Sequence, residues 1–153
     1  MTAASAIQPK LRVKNATKVY NTRSGDLLAI DRCSLDVRAG EIVSIVGPSG
    51  CGKTTLLWSM SGLHKLSEGE VLLDGQPVSG PNPEIGMVFQ DANLLPWRNL
   101  DANINFPFEI KGTKPDRAWI DELLERVGLG GFGGRMPREL SGGMQQRAAL
   151  VRA

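Results

Sequence analysis

Residues 41–57, EIVSIVGPSGCGKTTLL, constrain this chain more than any other stretch of it. Residues 42–46 are a nearly unbroken run of β-forming apolar residues, which predicts a strand buried on both faces of a parallel sheet. Residues 47–54 then show two glycines with four residues between them, followed by Lys and Thr. Residues 55–58 continue as a helix, so we expect a strand, a glycine loop and a helix in that order.

This pattern is typical of a loop that binds phosphate. Glycines let the backbone curl until successive N–H groups point at one anion, and the helix N-terminus adds a partial positive charge. Lys53 is expected to reach the β- and γ-phosphates, and the Thr54 hydroxyl to hold Mg²⁺. The alternative is an ordinary glycine turn before a helix. The predicted strand and helix on either side favour the phosphate loop.

Composition excludes several other classes. A length of 153 residues suits one domain, and the net charge of +2 comes from scattered basic residues, so we predict no nucleic-acid partner. The two cysteines, Cys33 and Cys51, lack metal-binding spacing and are predicted to be reduced thiols of a cytosolic protein. Because no apolar run approaches the length of a membrane span, any membrane role is expected to come through a partner.

The chain before the glycine loop predicts an antiparallel β piece. Residues 1–10 are expected to be a flexible leader. Residues 11–20 and part of residues 27–38 alternate apolar and polar side chains and are separated by turn-rich residues, which predicts two paired strands. Tyr20 ends the first of them. Its residue type fits either packing at a sheet edge or stacking on a ligand.

The chain after the glycine loop predicts a helix ending at Gly62, a strand over residues 70–73 and a hairpin turn at Asp74-Gly75. His64 is expected at the surface or in local capping. Residues 85–89 are a second apolar run and predict another strand. Gln90 follows it, where open α/β sheets place ligands, although it could equally be an ordinary loop residue.

Residues 91–138 predict a small helical insert on an α/β core formed by residues 11–90. Residues 94–97 carry leucines and a tryptophan outside regular structure, which indicates either a partner surface or a small satellite core. Pro107 is expected to break a helix over residues 100–110. Residues 116–127 predict an amphipathic helix whose apolar stripe contains Ala118, Trp119, Leu123, Leu124 and Val127.

Residues 139–153 contain LSGGMQQR and predict the start of a final helix. Ser141 is a good N-cap residue, and the two glycines behind it leave backbone N–H groups open. This arrangement fits a second anion site at a helix N-terminus. Taken alone, Ser-Gly-Gly is equally compatible with a flexible turn.

Three of these pieces, in this order, resemble the ATP-binding subunit of ABC transporters. GPSGCGKTT resembles the family's Walker A loop, VFQD its Q-loop, and LSGGMQQR its signature motif. Residues 90–112 are most similar to the subgroup that serves nitrate, sulfonate and taurine import. The resemblance implies an α/β P-loop NTPase core with an antiparallel β piece at the N-terminus and a small helical insert, incomplete at the C-terminus.

The resemblance also implies an ATP–Mg²⁺ site. Tyr20 would stack on the adenine, and Gln90 would join Thr54 at Mg²⁺ and position the attacking water as the catalytic group. The signature motif would face the ATP held by a second subunit in a head-to-tail dimer. The implied phosphate contacts are Gly47, Ser49, Gly50, Cys51, Gly52, Lys53, Thr54 and Thr55 in one subunit, and Leu140, Ser141, Gly142, Gly143 and Gln145 in the other.

The implied partners are a transmembrane permease subunit and, indirectly, a periplasmic or surface solute-binding protein. Leu94, Leu95 and Trp97 follow the Q-loop, where the family docks a helix of the permease. The implied location is the cytoplasmic side of the cell membrane, as a peripheral subunit. Nothing in the resemblance implies a nucleic-acid partner.

One departure from the family limits the expected chemistry. The family's Walker B strand ends in an aspartate for Mg²⁺ and a glutamate as general base, and a switch histidine follows later. No strand predicted in this sequence ends in Asp-Glu, and His64 precedes the Q-loop. We therefore expect these residues alone to bind ATP without hydrolysing it.

The alternatives to an importer's ATPase subunit are a non-hydrolytic nucleotide-binding module, a small-molecule kinase, a GTPase, or a soluble ABC ATPase acting on DNA or translation. The LSGG motif and the lack of an Asn-Lys-x-Asp guanine motif argue against the kinase and GTPase.

Overall fold

The computed structural model describes residues 8–153, which form two compact units, the first ending at Ile85 and the second comprising Gly86–Ala153. Each unit has its own hydrophobic core. The predicted leader, residues 1–10, lies outside the described residues except for its last three positions.

The first unit contains a four-stranded antiparallel sheet in the order β2-β1-β3-β4. Its long strands, β1 (Leu11–Thr22) and β2 (Gly25–Val37), form a hairpin, and the shorter β3 (Glu68–Leu73) and β4 (Gln76–Pro77) form a second. β1 pairs with β3 on its other side. The predicted antiparallel β piece and the hairpin at Asp74-Gly75 are both confirmed. The buried core of this unit is formed by Val13, Ala16, Ile30, Leu56 and Val71.

Helix α1 (Lys53–Met60) follows the glycine loop, as predicted. It packs on the sheet through Leu56, which is buried with Val13 and Ile30. The helix ends where Gly62 adopts a left-handed φ of 79°. A residue with a Cβ is strained in that conformation, so the predicted stop at this glycine has a steric cause.

The strand predicted over residues 42–46 is wrong. None of the four strands pairs with this segment, and the side chains of Ile42 and Val46 are 95% and 91% exposed. A strand is defined by ladder hydrogen bonds to a neighbour, so apolar β-forming residues do not make one by themselves. The strand predicted over residues 85–89 is also absent from the structure.

The second unit is helical. It contains α2 (Leu100–Lys111), α3 (Arg117–Arg126), a single 3₁₀ turn (Pro137–Glu139) and α4 (Gly142–Arg152). Each α-helix begins at a side-chain N-cap, because Asn99, Asp116 and Ser141 accept hydrogen bonds from backbone N–H groups in the first turn. The three helices meet around a core of Leu100, Ile104, Ile120, Leu124, Leu129, Leu140 and Ala148.

Two expectations for this unit are wrong. Pro107 lies inside α2 without ending it, because Leu100 and Ile104 are buried in the core and Gly112 closes the C-terminus in a left-handed conformation. The predicted stripe of α3 also shifts, since Ile120 is buried whereas Trp119 is 49% exposed. The guanidinium of Arg126 instead lies over the Trp119 ring, 5.7 Å from the ring centroid.

Candidate nucleotide-binding site

The glycine loop closes around its own lysine. Lys53 Nζ donates to the carbonyl oxygens of Gly47 at 2.8 Å and Pro48 at 2.6 Å. The backbone N–H of Cys51 also donates to the Pro48 carbonyl, at 3.4 Å. The loop is therefore curled, with a full positive charge held inside it.

Two glycines in this loop adopt conformations that other residues rarely reach. Gly50 has a φ of 81° and Gly52 a φ of 89°. A Cβ added at Gly52 would lie 2.2 Å from the carbonyl oxygen of Ala29 in β2, whereas one added at Gly50 would meet nothing within 4 Å. Gly52 is thus required both for its backbone conformation and for close approach to the sheet.

The positive end of the α1 dipole, at its N-terminus, is not neutralised by a side chain of the helix. Gly52 is its N-cap, no side chain caps it, and its first turn contains no acidic residue. The unsatisfied N–H groups of a first turn carry partial positive charge, and here no carboxylate offsets it. A cleft of about 310 Å³ lies beside this end of the helix and is lined by Cys51, Gly52 and Lys53 together with residues of β2. Of the remaining loop residues, Ser49 and Thr54 are exposed and Thr55 is half-buried.

The Tyr20 side chain is half-buried and contacts His64 and Lys18. Its hydroxyl lies 2.7 Å from Nδ1 of His64, and the two rings meet edge-on with centroids 6.0 Å apart. His64 in turn contacts the Trp58 ring at 4.8 Å. The Lys18 ammonium lies 4.9 Å from the Tyr20 ring centroid. Edge packing of Tyr20 is therefore present, and its stacking on a ligand stays a prediction.

The local capping predicted for His64 is present through its backbone. Its backbone N–H donates to the carbonyl of Trp58 at 3.1 Å, which folds the chain back over the C-terminal end of α1. This return brings the imidazole between Trp58 and Tyr20. The contacts of the imidazole with Trp58 and Tyr20 were not predicted. Trp58 and His64 are six residues apart, on either side of the glycine that ends α1, and only the backbone conformation at that glycine brings their rings together.

Gln90 lies in the second unit with its side chain exposed. Its backbone carbonyl accepts a short hydrogen bond from the side-chain amide of Gln146, on α4. Further along α4, Arg152 donates to the carbonyls of Ala92 at 2.9 Å and Asn93 at 2.8 Å. Desolvation lowers the pKa of this arginine from its ordinary value. The segment after Gln90 is therefore tied to the same helix that begins at Ser141.

The turn before α4 divides into exposed and buried parts. Ser141, Gly142 and Gly143 are exposed, and Ser141 Oγ accepts from the backbone N–H of Met144 at 3.3 Å. Leu140 is only 5% exposed and packs in the core. Gln145 donates from Nε2 to the carbonyls of Pro137 at 3.0 Å and Leu140 at 3.2 Å. The structure thus leaves Ser141 and the two glycines accessible, while the side chains of Leu140 and Gln145 hold the turn from inside.

Residues 94–99 form a turn with one exposed aromatic side chain. Leu94 packs against the helical core, Leu95 is half-buried, and Trp97 is 71% exposed. Leu94 is therefore part of a core, and a partner surface at the exposed Trp97 stays a prediction.

Within residues 8–153, no group of three or more His, Cys, Asp or Glu side chains is arranged to hold a metal ion. Cys33 and Cys51 are free thiols. None of the helices in the described residues has the length and apolar character needed to cross a membrane.

A glycine loop curled around a lysine at the open N-terminus of a helix, packed on a β-sheet, defines the class of P-loop nucleotide-binding proteins. The family model for the ABC transporter domain matches residues 30–153, so the chain belongs to the ABC transporter family.

Individual relatives agree with this assignment. An uncharacterized ABC transporter ATP-binding protein of Methanocaldococcus jannaschii is 46% identical over 145 residues, covering 94% of this chain and 54% of that protein. The taurine import ATP-binding protein of Roseobacter denitrificans is 44% identical over 145 residues, covering 93% of this chain and 54% of that protein. The chain thus spans about half the length of the curated relatives it matches.

A solved structure shows the same fold. It is a dimeric ATP-binding cassette in a post-hydrolysis state, bound to ADP and Pi, with a TM-score of 0.81 and 34% identity. The match covers 93% of this chain and 68% of that chain. The predicted fold class, an ABC-type α/β P-loop protein with an N-terminal antiparallel sheet and a helical part, is confirmed.

Proposed function

We propose that this chain is the ATP-binding part of an ABC importer and binds ATP through residues 47–55. The observation that carries this proposal is the position of Lys53, whose ammonium lies inside the curled loop at the open end of α1. Its present partners are two neutral carbonyls and, at 3.7 Å, the sulfur of Cys51. A phosphate oxygen is a stronger partner for an ammonium than a carbonyl, because both groups are then charged.

The residues at the loop fit a triphosphate with Mg²⁺. Gly47, Gly50 and Gly52 would keep the loop free of side chains where phosphate binds, and Ser49, Cys51 and Thr55 would add further phosphate contacts. The exposed Thr54 hydroxyl stands in the first turn of the helix, where it would bind Mg²⁺ together with phosphate oxygens. Gln90 would add the second protein contact to the metal and orient the attacking water. Bound Mg²⁺ would neutralise phosphate charge during hydrolysis by the whole protein.

Tyr20 would stack on the adenine. Its hydroxyl is held by His64 at 2.7 Å, so the ring orientation is restrained before a nucleotide arrives. Restraint of this kind lowers the entropic cost of stacking.

A second subunit would complete the site. Ser141, Gly142 and Gly143 form an accessible helix start, which suits contact with a γ-phosphate. Supporting this proposal, the similar solved cassette is described as dimeric. In the proposed head-to-tail dimer, Leu140 and Gln145 act indirectly, by holding the turn that carries Ser141.

The membrane-facing partner would be a transmembrane permease subunit, docked through Leu94, Leu95 and Trp97. The protein would then be peripheral on the cytoplasmic side of the cell membrane, with a solute-binding protein as an indirect partner and no nucleic acid. Taurine import by one relative supports a nitrate, sulfonate or taurine solute.

Replacement of Lys53 tests the nucleotide proposal. Lys53→Ala should weaken binding of a fluorescent ATP analogue with Mg²⁺ by about 10- to 150-fold, since hydrogen bonds to charged groups contribute roughly 1.5–3 kcal/mol. Lys14→Ala is the matched control, because it removes an exposed lysine that pairs with Glu70 on β3. A folded Lys53→Ala protein that bound ATP as tightly as the Lys14→Ala control would refute the proposal.

A further inference from the structure

We infer that Asn103 is a positioning residue that fixes the turn at residues 95–98 and thereby presents Trp97 to the membrane partner. This inference rests on the proposed docking function. It concerns a buried amide on α2 to which the sequence pattern assigned no role.

Asn103 is fully buried, with 0% of its surface exposed, and all its hydrogen-bonding atoms face the preceding turn. Its Oδ1 accepts from the backbone N–H of Leu95 at 2.6 Å. Its Nδ2 donates to the carbonyls of Leu95 at 3.1 Å, Arg98 at 2.8 Å and Asn99 at 3.0 Å. One side chain therefore binds both ends of the turn.

The chemistry of this contact is specific to an amide. The turn presents one N–H donor and three carbonyl acceptors to a dry site, so the side chain must both accept and donate. An aliphatic residue would remove the partner of the Leu95 N–H and of the Arg98 carbonyl, and a carboxylate would face three carbonyl oxygens. A buried polar group without a partner is costly, so the turn would open toward water.

The turn exposes its two middle residues, Pro96 and Trp97. The backbone N–H of Arg98 donates to the carbonyl of Leu95 at 3.1 Å, which places Pro96 and Trp97 at its two corner positions. Arg98 is held by Glu109 at 2.7 Å and lies over the Phe106 ring. Trp97 remains 71% exposed. An exposed tryptophan on a backbone turn fixed in this way is the kind of side chain that dominates binding energy in interfaces.

The first experiment reads the order of Trp97 by ¹⁹F NMR of the whole protein labelled with 5-fluorotryptophan. The chain has three tryptophans, and Trp97→Phe assigns the relevant signal. Asn103→Leu should move and sharpen the Trp97 signal toward that of a mobile side chain while leaving the Trp58 and Trp119 signals in place. Asn105→Leu is the matched control, on the same helix, because Asn105 Oδ1 accepts no hydrogen bond within the described residues.

The second experiment measures association with inside-out membrane vesicles from the source cells. Trp97→Ala and Asn103→Leu should each weaken association with the vesicles at least about tenfold. The double variant should bind the vesicles as well as the single variant with the lower affinity, because both substitutions remove the same contact. ATP affinity should stay within twofold in all three, since none of these residues is placed at the nucleotide. Independent, multiplying effects in the double variant would overturn the positioning role.

Other results separate this inference from its premise. If Asn103→Leu mobilises Trp97 but Trp97→Ala leaves vesicle association unchanged, the docking function fails and the inference fails with it. If Asn103→Leu shifts all three tryptophan signals, that variant has disturbed the whole fold, and Asn103→Asp is tested in its place. The aspartate keeps the shape of the side chain and the oxygen that accepts from the Leu95 N–H. A Trp97 signal unchanged by Asn103→Asp would then overturn the inference.

Discussion

The contact between Gly52 and β2 predicts a large difference between two glycine substitutions in the same loop. Gly52→Ala and Gly50→Ala both place a Cβ at a left-handed φ, of 89° and 81° respectively. This conformation costs roughly 1–2 kcal/mol for an L-residue. Only at Gly52 does the new Cβ also meet the Ala29 carbonyl oxygen, at 2.2 Å, where the backbone of a paired strand must move.

Overpacking of this kind typically costs about 1–3 kcal/mol. We therefore expect Gly50→Ala to lower the free energy of unfolding by about 1–2 kcal/mol and Gly52→Ala by about 2–5 kcal/mol. The entropy that each alanine removes from the unfolded chain is the same in both variants, so it cancels in the comparison.

Urea unfolding followed by Trp58 fluorescence measures this difference, in a background that carries Trp97→Phe and Trp119→Phe. Trp58 lies in α1, next to the loop, so its signal reports on the first unit. The measurement is made without nucleotide, because both glycines are proposed to contact phosphate. Equal losses for the two variants would show that Ala29 imposes no steric limit, and the argument from close approach would be wrong.

Three further predictions concern other parts of the proposed site. Tyr20→Phe should keep ATP affinity within about threefold, whereas Tyr20→Ala should lose roughly 1–3 kcal/mol of stacking, as read by titration with a fluorescent ATP analogue. Ser141→Ala should lower the free energy of unfolding by about 1 kcal/mol, because the backbone N–H of Met144 loses its N-cap partner. Ser141→Asp should keep the N-cap but abolish ATP-dependent dimerisation, measured by light scattering, since a carboxylate would repel the γ-phosphate. The Met136 backbone N–H, at 2.7 Å, holds the pKa of Glu139 below its ordinary value of 4.5. The stabilisation is therefore complete above that pH and disappears as pH falls through the lowered value, so Glu139→Gln should flatten the acid side of a stability–pH profile measured by urea unfolding.

Local sequence was sufficient where the physical determinant is local. Ser141 was predicted as an N-cap and is one, because capping depends on residues within three positions. Gly62 was predicted to end α1 and does so, because its left-handed φ is set by the absence of its own Cβ. The Pro107 prediction failed because burial of Leu100 and Ile104, on the same helix, outweighs one missing backbone hydrogen bond.

The candidate site shows the same division. The glycine spacing alone predicted a phosphate loop at residues 47–54. It could not reveal that Gly52 touches Ala29, since that contact joins positions 23 residues apart in sequence, in a helix cap and a strand. Nor could it reveal Asn103, because a buried amide is recognisable only when the backbone groups it satisfies are known.

The sequence by itself determined the glycine loop, the capped helix starts, the antiparallel hairpins and, through these motifs, the family. Each of these depends on residue type over a few neighbouring positions. Tertiary structure alone decided that residues 42–46 stand exposed without a ladder partner, that His64 restrains Tyr20, and that Asn103 holds the Trp97 turn. These features depend on which distant groups meet, and the hydrogen bonds and packing that fix them exist only once the chain has folded.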